Sequence, residues 1–379
     1  MIDYMSTVPN KQIRNPLHLE ATTITVLLYF GAGLGALVLA GILPVPWPRF
    51  TRGYVDFLGL YNGAVLVGTD GLYSLVANRE LQLRQIGHTL ESVYYVRLPF
   101  YAALLRPLTL LPYQAAYWVF QVVSVAAAII FARSCRGPWQ LTAAILLFLP
   151  LTVSILVGQD ITLIVALCAA TILLCRSGRD AAAGFVLSLC IIKFHLFVLV
   201  PLVLIRHRKW SMIGGAAGGV LIWLAISTLV AGPDWPRQYL AVLQNPAISP
   251  YLDYMPTVRG IFFDSPWALY VTALVLAVLL YVIVKQRNFE VAFGLALAGG
   301  VLLNTHSYLQ DCAILLPALV SAVRSGCAGV RRIALFLMTP FPYVLFLLGH
   351  GAVFLFCVLA LAVMRTAATT KAPGDQCAA

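Results

Sequence analysis

Twelve apolar runs, broken only by short polar punctuation, occupy most of this chain: 20–43, 113–132, 139–157, 160–175, 181–192, 195–205, 210–231, 265–284, 289–304, 309–323, 331–348 and 350–365. A helix needs about 20 mostly apolar residues to cross a bilayer. In lipid it must satisfy its own backbone hydrogen bonds, so only helices or closed barrels can span. Runs of this length predict helices. With 61% hydrophobic and 10% charged residues among 379, against roughly 25% charged in soluble domains, the surface to be buried is far more than a water-soluble core takes up. The expected fold is an all-α polytopic membrane domain over residues 1–379, with about 12 spans (10–13 as the range) and no separate soluble domain.

The net charge of +11 does not indicate nucleic acid, because the basic residues do not gather on one face. They recur between apolar runs: Arg133 and Arg136, Arg176 and Arg179, Arg206 to Lys209, Lys285 and Arg287, Arg331 and Arg332. With a cytoplasmic N-terminus and every run crossing, the inside segments hold 16 of the 25 basic residues, the pattern of cytoplasmic loops. Residues 1–20 are polar and do not read as a cleavable signal peptide. Two short runs, 181–192 and 195–205, form either a tight hairpin or one long helix. The stretch 94–111 carries Arg97, Pro99, Arg106 and Pro107. It reads as an interfacial helix in a first outer loop, 44–112, because charges in a lipid-facing span cost about 2.5–3.5 kcal/mol each. The rival reading makes it a span and 181–205 a single helix. A second outer loop covers 232–264, C-terminal helices cover 326–365, and the polar tail 366–379 is expected to be disordered.

Cysteines give no disulfide framework: no CxxC pair occurs, and most of the eight lie in apolar runs or at helix ends. No metal-ligand spacing is evident, and HExxH, GxxxxGK[ST] and a GxSxG elbow are absent. Glycine-rich stretches at 31–35 and 214–219 suit helix packing.

Ionisable residues at span ends remain to be explained. Asp56 lies among apolar and aromatic residues, where a carboxylate pKa rises toward values useful to a general base; the alternative is a loop acid or helix cap. Gly158-Gln159-Asp160 reads as a turn plus an N-cap. Lys193 interrupts a long apolar stretch, so it either snorkels or binds an anion. His306 and Asp311 lie in a polar knot, where the histidine either acts as acid or base or is a satisfied loop residue. On the expected topology Asp56, Gln159, Lys193, His306 and Asp311 all reach one face.

These residues, in this order, resemble the polytopic glycosyltransferases of family 87, of the wider GT-C fold. The matching pieces are Asp56-Phe57 with Tyr61, Gly68 and Leu72-Tyr73; Tyr94-Tyr95, Pro99, Pro107-Leu108 and Leu111-Pro112; Gly158-Gln159; Lys193; Arg208-Lys209-Trp210; and His306 to Asp311. The resemblance covers roughly residues 20–325. The family's tyrosine–proline–proline run appears here as Tyr95-Val96-Arg97-Leu98-Pro99, and Phe194 follows Lys193 where proline is common. The resemblance implies transfer of a sugar, mannose above all, from a polyprenyl-phosphate donor to a lipid or glycan acceptor at the outer face, by inversion and without a cofactor or metal. Asp56 and His306 are then the catalytic pair, Asp56 as base. Lys193 and Arg97 join His306 around the phosphate, and Gln159, Tyr61 and Asp311 orient substrate or those side chains. The partners implied are membrane lipids and the two substrates, with no nucleic acid. A flippase of lipid-linked sugars would scatter polar residues through mid-membrane. A polysaccharide ligase or polymerase would place its large outer loop late in the chain.

Overall fold

The apolar runs become helices close to their expected bounds. The computed structural model describes residues 47–248, 251–263 and 265–370. The run 20–43 and residues 371–379 lie outside the described residues. Tyr113–Ser134, Ile161–Arg176, Trp210–Ala231, Ala268–Lys285, Phe289–Leu303 and Gly351–Thr370 are helical, and no strand occurs among the described residues. Among the described residues, five helices are long and apolar enough to cross a membrane, or up to seven if each of two bent pairs is one span. The last helix continues to Thr370, so residues 366–370, expected in a disordered tail, are helical.

Two expected straight helices are bent. The run 139–157 breaks by 49° between Trp139–Leu146 and Leu149–Val157, and 331–348 breaks by 57° between Ala328–Met338 and Phe341–Leu347. Each second half carries proline in its first turn, Pro150 and Pro342. Proline removes a donor and clashes with the preceding turn, so helices restart there instead of continuing.

The short runs near 181–205 form a hairpin. The chain rises through Asp180–Ser188 and a 3-10 segment, Leu189–Phe197, whose backbone breaks at Lys193 (φ −127°, ψ 54°). It returns through Val200–Arg206, where Arg206 Nε donates to the Val284 carbonyl (2.9 Å). Each arm packs on a neighbouring helix by close backbone approach. A Cβ on Gly184 would meet the Met212 carbonyl, one on Gly215 the Ala181 carbonyl, and one on Gly300 the Leu196 carbonyl. Small residues allow this contact in lipid, where van der Waals packing replaces the hydrophobic effect between helices.

Phe289–Leu303 is the central helix, with Val291 to Leu302 buried throughout. Trp210–Ala231 lies at the rim, with 11% of its most apolar window buried, so lipid must cover the rest. The stretch 94–111 does not span. It enters extended, forms a short helix Pro99–Leu105 and a 3-10 turn Arg106–Leu110, and leaves Leu110 86% exposed. With Phe57–Leu66 and the start of Tyr113–Ser134 it builds a second core rich in tyrosine, separate from the main one. There Tyr95 lies against Gly63, and Tyr73 and Tyr95 donate to the carbonyls of Arg97 (2.8 Å) and Leu98 (2.6 Å).

Chain alternation places Arg133, Arg176, Arg206 and Lys285, each in the last turn of its helix, at one end of the bundle. Arg176 pairs with Glu290 and Lys209 with Asp180 at that end. The acidic turns around Asp56, Asp160 and Asp311 stand at the other.

Gly300→Ala should force the Lys193 hairpin off the central helix and cost about 1–3 kcal/mol. Gly214→Ala, with no neighbour within 4 Å, should be neutral. Thermal unfolding in detergent compares the two; equal midpoints would refute the packing argument.

Candidate active site

Four chain segments meet at the end opposite the basic helix termini, and each delivers a polar side chain. The Leu149–Val157 helix ends on Gly158 in the left-handed region (φ 67°), where a Cβ would also strike Phe57. That tight turn aims Gln159 and Asp160 inward. The hairpin break presents Lys193, the extended segment before Pro99 presents Arg97, and the 3-10 segment Leu309–Leu315 presents Asp311.

Together they form a closed ion network. Arg97 Nε donates to Asp160 Oδ2 (2.7 Å) and Nη2 to Oδ1 (3.3 Å). Lys193 Nζ lies 3.3 Å from Asp160 Oδ1 and 2.5 Å from Asp311 Oδ1. The second Asp311 oxygen accepts from the Tyr308 amide (3.0 Å). All four side chains are buried, Asp160 completely. Burial alone would raise the Asp160 pKa, but Arg97 and Lys193 outweigh it and hold the group down to about 2. Asp160 therefore does not act as the simple N-cap its position suggests: it makes no capping bond.

Gln159 connects this network to Asp56. Its Oε1 accepts from Arg97 Nη2 (3.1 Å) and Lys193 Nζ (3.2 Å), and its Nε2 donates to Asp56 Oδ2 (2.7 Å). Two cationic donors on the oxygen fix the amide's orientation, so the nitrogen must face Asp56. Asp56 sits at the head of Phe57–Leu66 but makes no side-chain cap there. Burial raises its pKa above the ordinary 3.8, against the lowering effects of the Gln159 bond and the charges of Lys193, Arg97 and Arg49. Three acids thus divide in two. Asp160 and Asp311 are ion-paired, and Asp56 is hydrogen-bonded to a neutral amide.

A cavity of about 560 Å³ opens beside them, lined by Asp56, Arg97, Gln159, Lys193, His306 and Asp311, with Arg49, His195, Tyr251, Tyr254 and Tyr308 around them. His195 and His306 face each other edge-on at 6.3 Å, and the Tyr308 ring lies 5.2 Å from His306. Burial pushes the His306 pKa down to about 4, with Asp311 opposing and Arg97 and Lys193 reinforcing. At neutral pH this imidazole is uncharged and offers one N–H and one acceptor nitrogen.

Six of the seven side chains singled out in the sequence line this cavity. Tyr61 does not. Its hydroxyl donates to the Leu111 carbonyl (3.0 Å), and its ring packs on Phe57 and Tyr113 in the tyrosine-rich core. Lys193 neither snorkels nor stands open to an anion, since two carboxylates hold it. Asp160, His195, Tyr251, Tyr254 and Arg49 were not singled out as site residues. The available signal for Asp160 was an acid between two apolar runs on the same expected face as Lys193, because a lysine held away from water needs an anionic partner.

The glycosyltransferase family 87 model matches residues 98–309, more than half of the chain. The chain belongs to glycosyltransferase family 87. No curated protein and no solved structure matches it. With its apolar helices, the family 87 assignment makes the protein a membrane glycosyltransferase, which joins a sugar from a donor to an acceptor. The matched span contains Gln159, Asp160, Lys193, His195 and His306, and Asp56, Arg97 and Asp311 flank it.

In this family 87 chain, Asp160→Asn would leave Arg97 and Lys193 short of a buried counter-charge. It should cost about 3–5 kcal/mol, read as a fall in the detergent unfolding midpoint. A loss under about 1 kcal/mol would show the network to be dispensable. The folded pKa lies below the unfolded one, so the Asp160 contribution is complete above pH 3.8 and fades as pH falls toward about 2.

Proposed function

We propose that the protein moves a sugar, mannose by preference, from a polyprenyl-phosphate donor to the hydroxyl of a lipid- or glycan-linked acceptor, with inversion and with Asp56 as general base. The observation that carries the reading is the contrast between Asp56 and the other two acids. Asp160 and Asp311 are each paired with a cation, whereas Asp56 lines the cavity with a raised pKa and one amide donor. A base works best when its pKa approaches the working pH and it can reach the proton it removes.

In the proposed step the acceptor O–H gives its proton to the Asp56 carboxylate as its oxygen attacks the anomeric carbon. The bond from that carbon to the phosphate oxygen breaks, and its electron pair leaves with the polyprenyl phosphate. Charge builds on the departing phosphate, so donors preorganised toward it contribute most to the rate. His306 lines the cavity, and a docked phosphate would favour its protonated form. Arg97 and Lys193 act through their field and by fixing Gln159 and Asp311, since their own donors are already taken. Rim tyrosines 251 and 254 and Arg49 are placed to meet sugar or phosphate oxygens.

The outer-face assignment draws on the bundle's two ends. Arginine and lysine termini collect at the end away from the cavity, and positive loops remain cytoplasmic. A lipid-bound donor also suits a cavity among membrane helices, since its headgroup then reaches the site without leaving the bilayer. A flippase is a poorer match: the titratable cluster occupies one end of the bundle, and the main apolar core fills the interior beneath it.

Asp56→Asn keeps an acceptor for Gln159 and should stay folded while losing about 10²–10⁴-fold in transfer from polyprenyl-phosphate mannose. Transfer within about threefold of wild type would eliminate Asp56 as the base. Activity of the wild type should fall as pH drops through the raised Asp56 pKa. Gln159→Leu removes a bond that lowers that pKa, so the acid limb of kcat/KM should move to higher pH. A limb that stays put, or moves down, would show that Gln159 does not tune Asp56.

A further inference from the structure

A second cavity, about 200 Å³, lies at the basic end of the bundle. It sits between the C-terminal ends of Ile161–Arg176 and Leu316–Val323. The first of these helices is 16 residues long and starts beside Asp160, so the two cavities stand about 24 Å apart along the bundle. Three arginines line the second one, Arg176, Arg324 and Arg365, and Glu290 is its one acidic lining residue.

The arginines differ in what they bind. Arg176 is held by Glu290 through both Nε (2.6 Å) and Nη2. Arg365 Nη1 and Nη2 reach the hydroxyls of Ser325 (3.3 Å) and Ser321 (3.4 Å). Arg324 has no such anchor: its Nε and Nη2 are shut off from solvent and have no hydrogen-bond partner among the described residues. A buried guanidinium edge without an acceptor is costly, and charged groups cost most. Nε and Nη2 form the edge that grips two oxygens of one phosphate or carboxylate side by side. A ring of exposed loop arginines at this end would need no ligand, because water serves them; Arg133, exposed at the same end, is such a residue.

We infer that this cavity binds a phosphate oxyanion, carried by the headgroup of an anionic membrane lipid, through the Nε–Nη2 edge of Arg324. Three arginines against one glutamate leave an excess of positive charge, which one phosphodiester would reduce. The walls suit acyl chains: Leu173, on the cavity, is 39% exposed, as membrane-facing side chains are. Basic pockets between spans on the cytoplasmic side hold lipid headgroups on the same principle. This inference does not rest on the proposed transfer reaction.

The test uses the full chain in phosphatidylcholine nanodiscs and reads the unfolding midpoint with added phosphatidylglycerol or with inorganic phosphate. Phosphatidylglycerol should raise the wild-type midpoint by at least about 3 °C. Arg324→Gln should lose most of that rise and match the wild type without it, while Arg133→Gln keeps it. A rise with phosphatidylglycerol alone identifies a lipid headgroup. A rise with inorganic phosphate as well identifies the oxyanion as sufficient, and loss of both in Arg324→Gln still locates it here. No rise, or an undiminished rise in Arg324→Gln, overturns the inference. Cys135 also lines the cavity, which gives a reading on the wild type alone. Phosphatidylglycerol should slow alkylation of Cys135 and leave Cys357 unaffected; equal rates with and without the lipid would overturn the site even if the variant failed to fold.

Discussion

Two cations and two carboxylates buried together at one end of a membrane bundle set the terms for everything near them. An isolated charge in that environment would be prohibitively expensive, and a pair is tolerable only when its geometry and remaining hydrogen bonds are complete. Arg97, Asp160, Lys193 and Asp311 meet that condition jointly, with Gln159 and the Tyr308 amide taking up the remaining valences. Each comes from a different segment: the extended part of the first loop, the turn after a bent helix, the apex of a hairpin and the start of a later span. The network is therefore both the floor of the cavity and the point where four parts of the chain are joined.

That completeness is what singles out Asp56. Arg97 and Lys193 are used up on two acids, so the third receives only a neutral donor and the weakened field of the cations behind it. One amide, oriented by two cationic donors on its oxygen, separates a carboxylate locked in its ionised form from one whose pKa has room to rise. The same three side chains in water would be nearly equivalent acids. Position alone gives one of them the character of a base and gives the others the character of counter-ions.

Hydropathy made the helices legible because lipid imposes a length and an apolar character on every span, and the observed bounds fall close to the runs read from the residues. Counting alternation also brought Asp56, Gln159, Lys193, His306 and Asp311 to one face, since parity needs no side-chain geometry. Pairing was not legible. Nothing in the order of residues says that Asp160 faces Arg97 across 62 intervening residues, or that Lys193 is satisfied by Asp311 instead of waiting for an anion. Tyr61 shows the same limit from the other side. Its helix carries Asp56 at its head, but five residues further on, more than a full turn, the side chain points into the tyrosine core. The choice between hairpin and long helix at 181–205 was settled by the backbone break at Lys193 and by contacts that hold Asp180 and Arg206 at the same end of the bundle, which act between segments and leave no periodic signal.

The depth of the cavity follows from unequal helix lengths. Tyr113–Ser134 and Trp210–Ala231, 22 residues each, reach about 33 Å, enough for a hydrocarbon layer near 30 Å. Ile161–Arg176, with 16 residues, and the arms of the hairpin to Lys193 reach only about 20–24 Å from the same basic end. The floor of the site is thus recessed by roughly 10 Å below the tops of the longer helices. A recess at that depth would expose charged groups to lipid unless something covered it. The tyrosine-rich loop does so, anchored where Phe100 donates its amide to Ser227 (3.1 Å) and where Tyr113 bonds to the Gly53 carbonyl. The loop that supplies Asp56 and Arg97 is also the wall that separates the ion network from the bilayer, so the proposed base, its neighbouring counter-ion and the lipid barrier are held by a single packed unit.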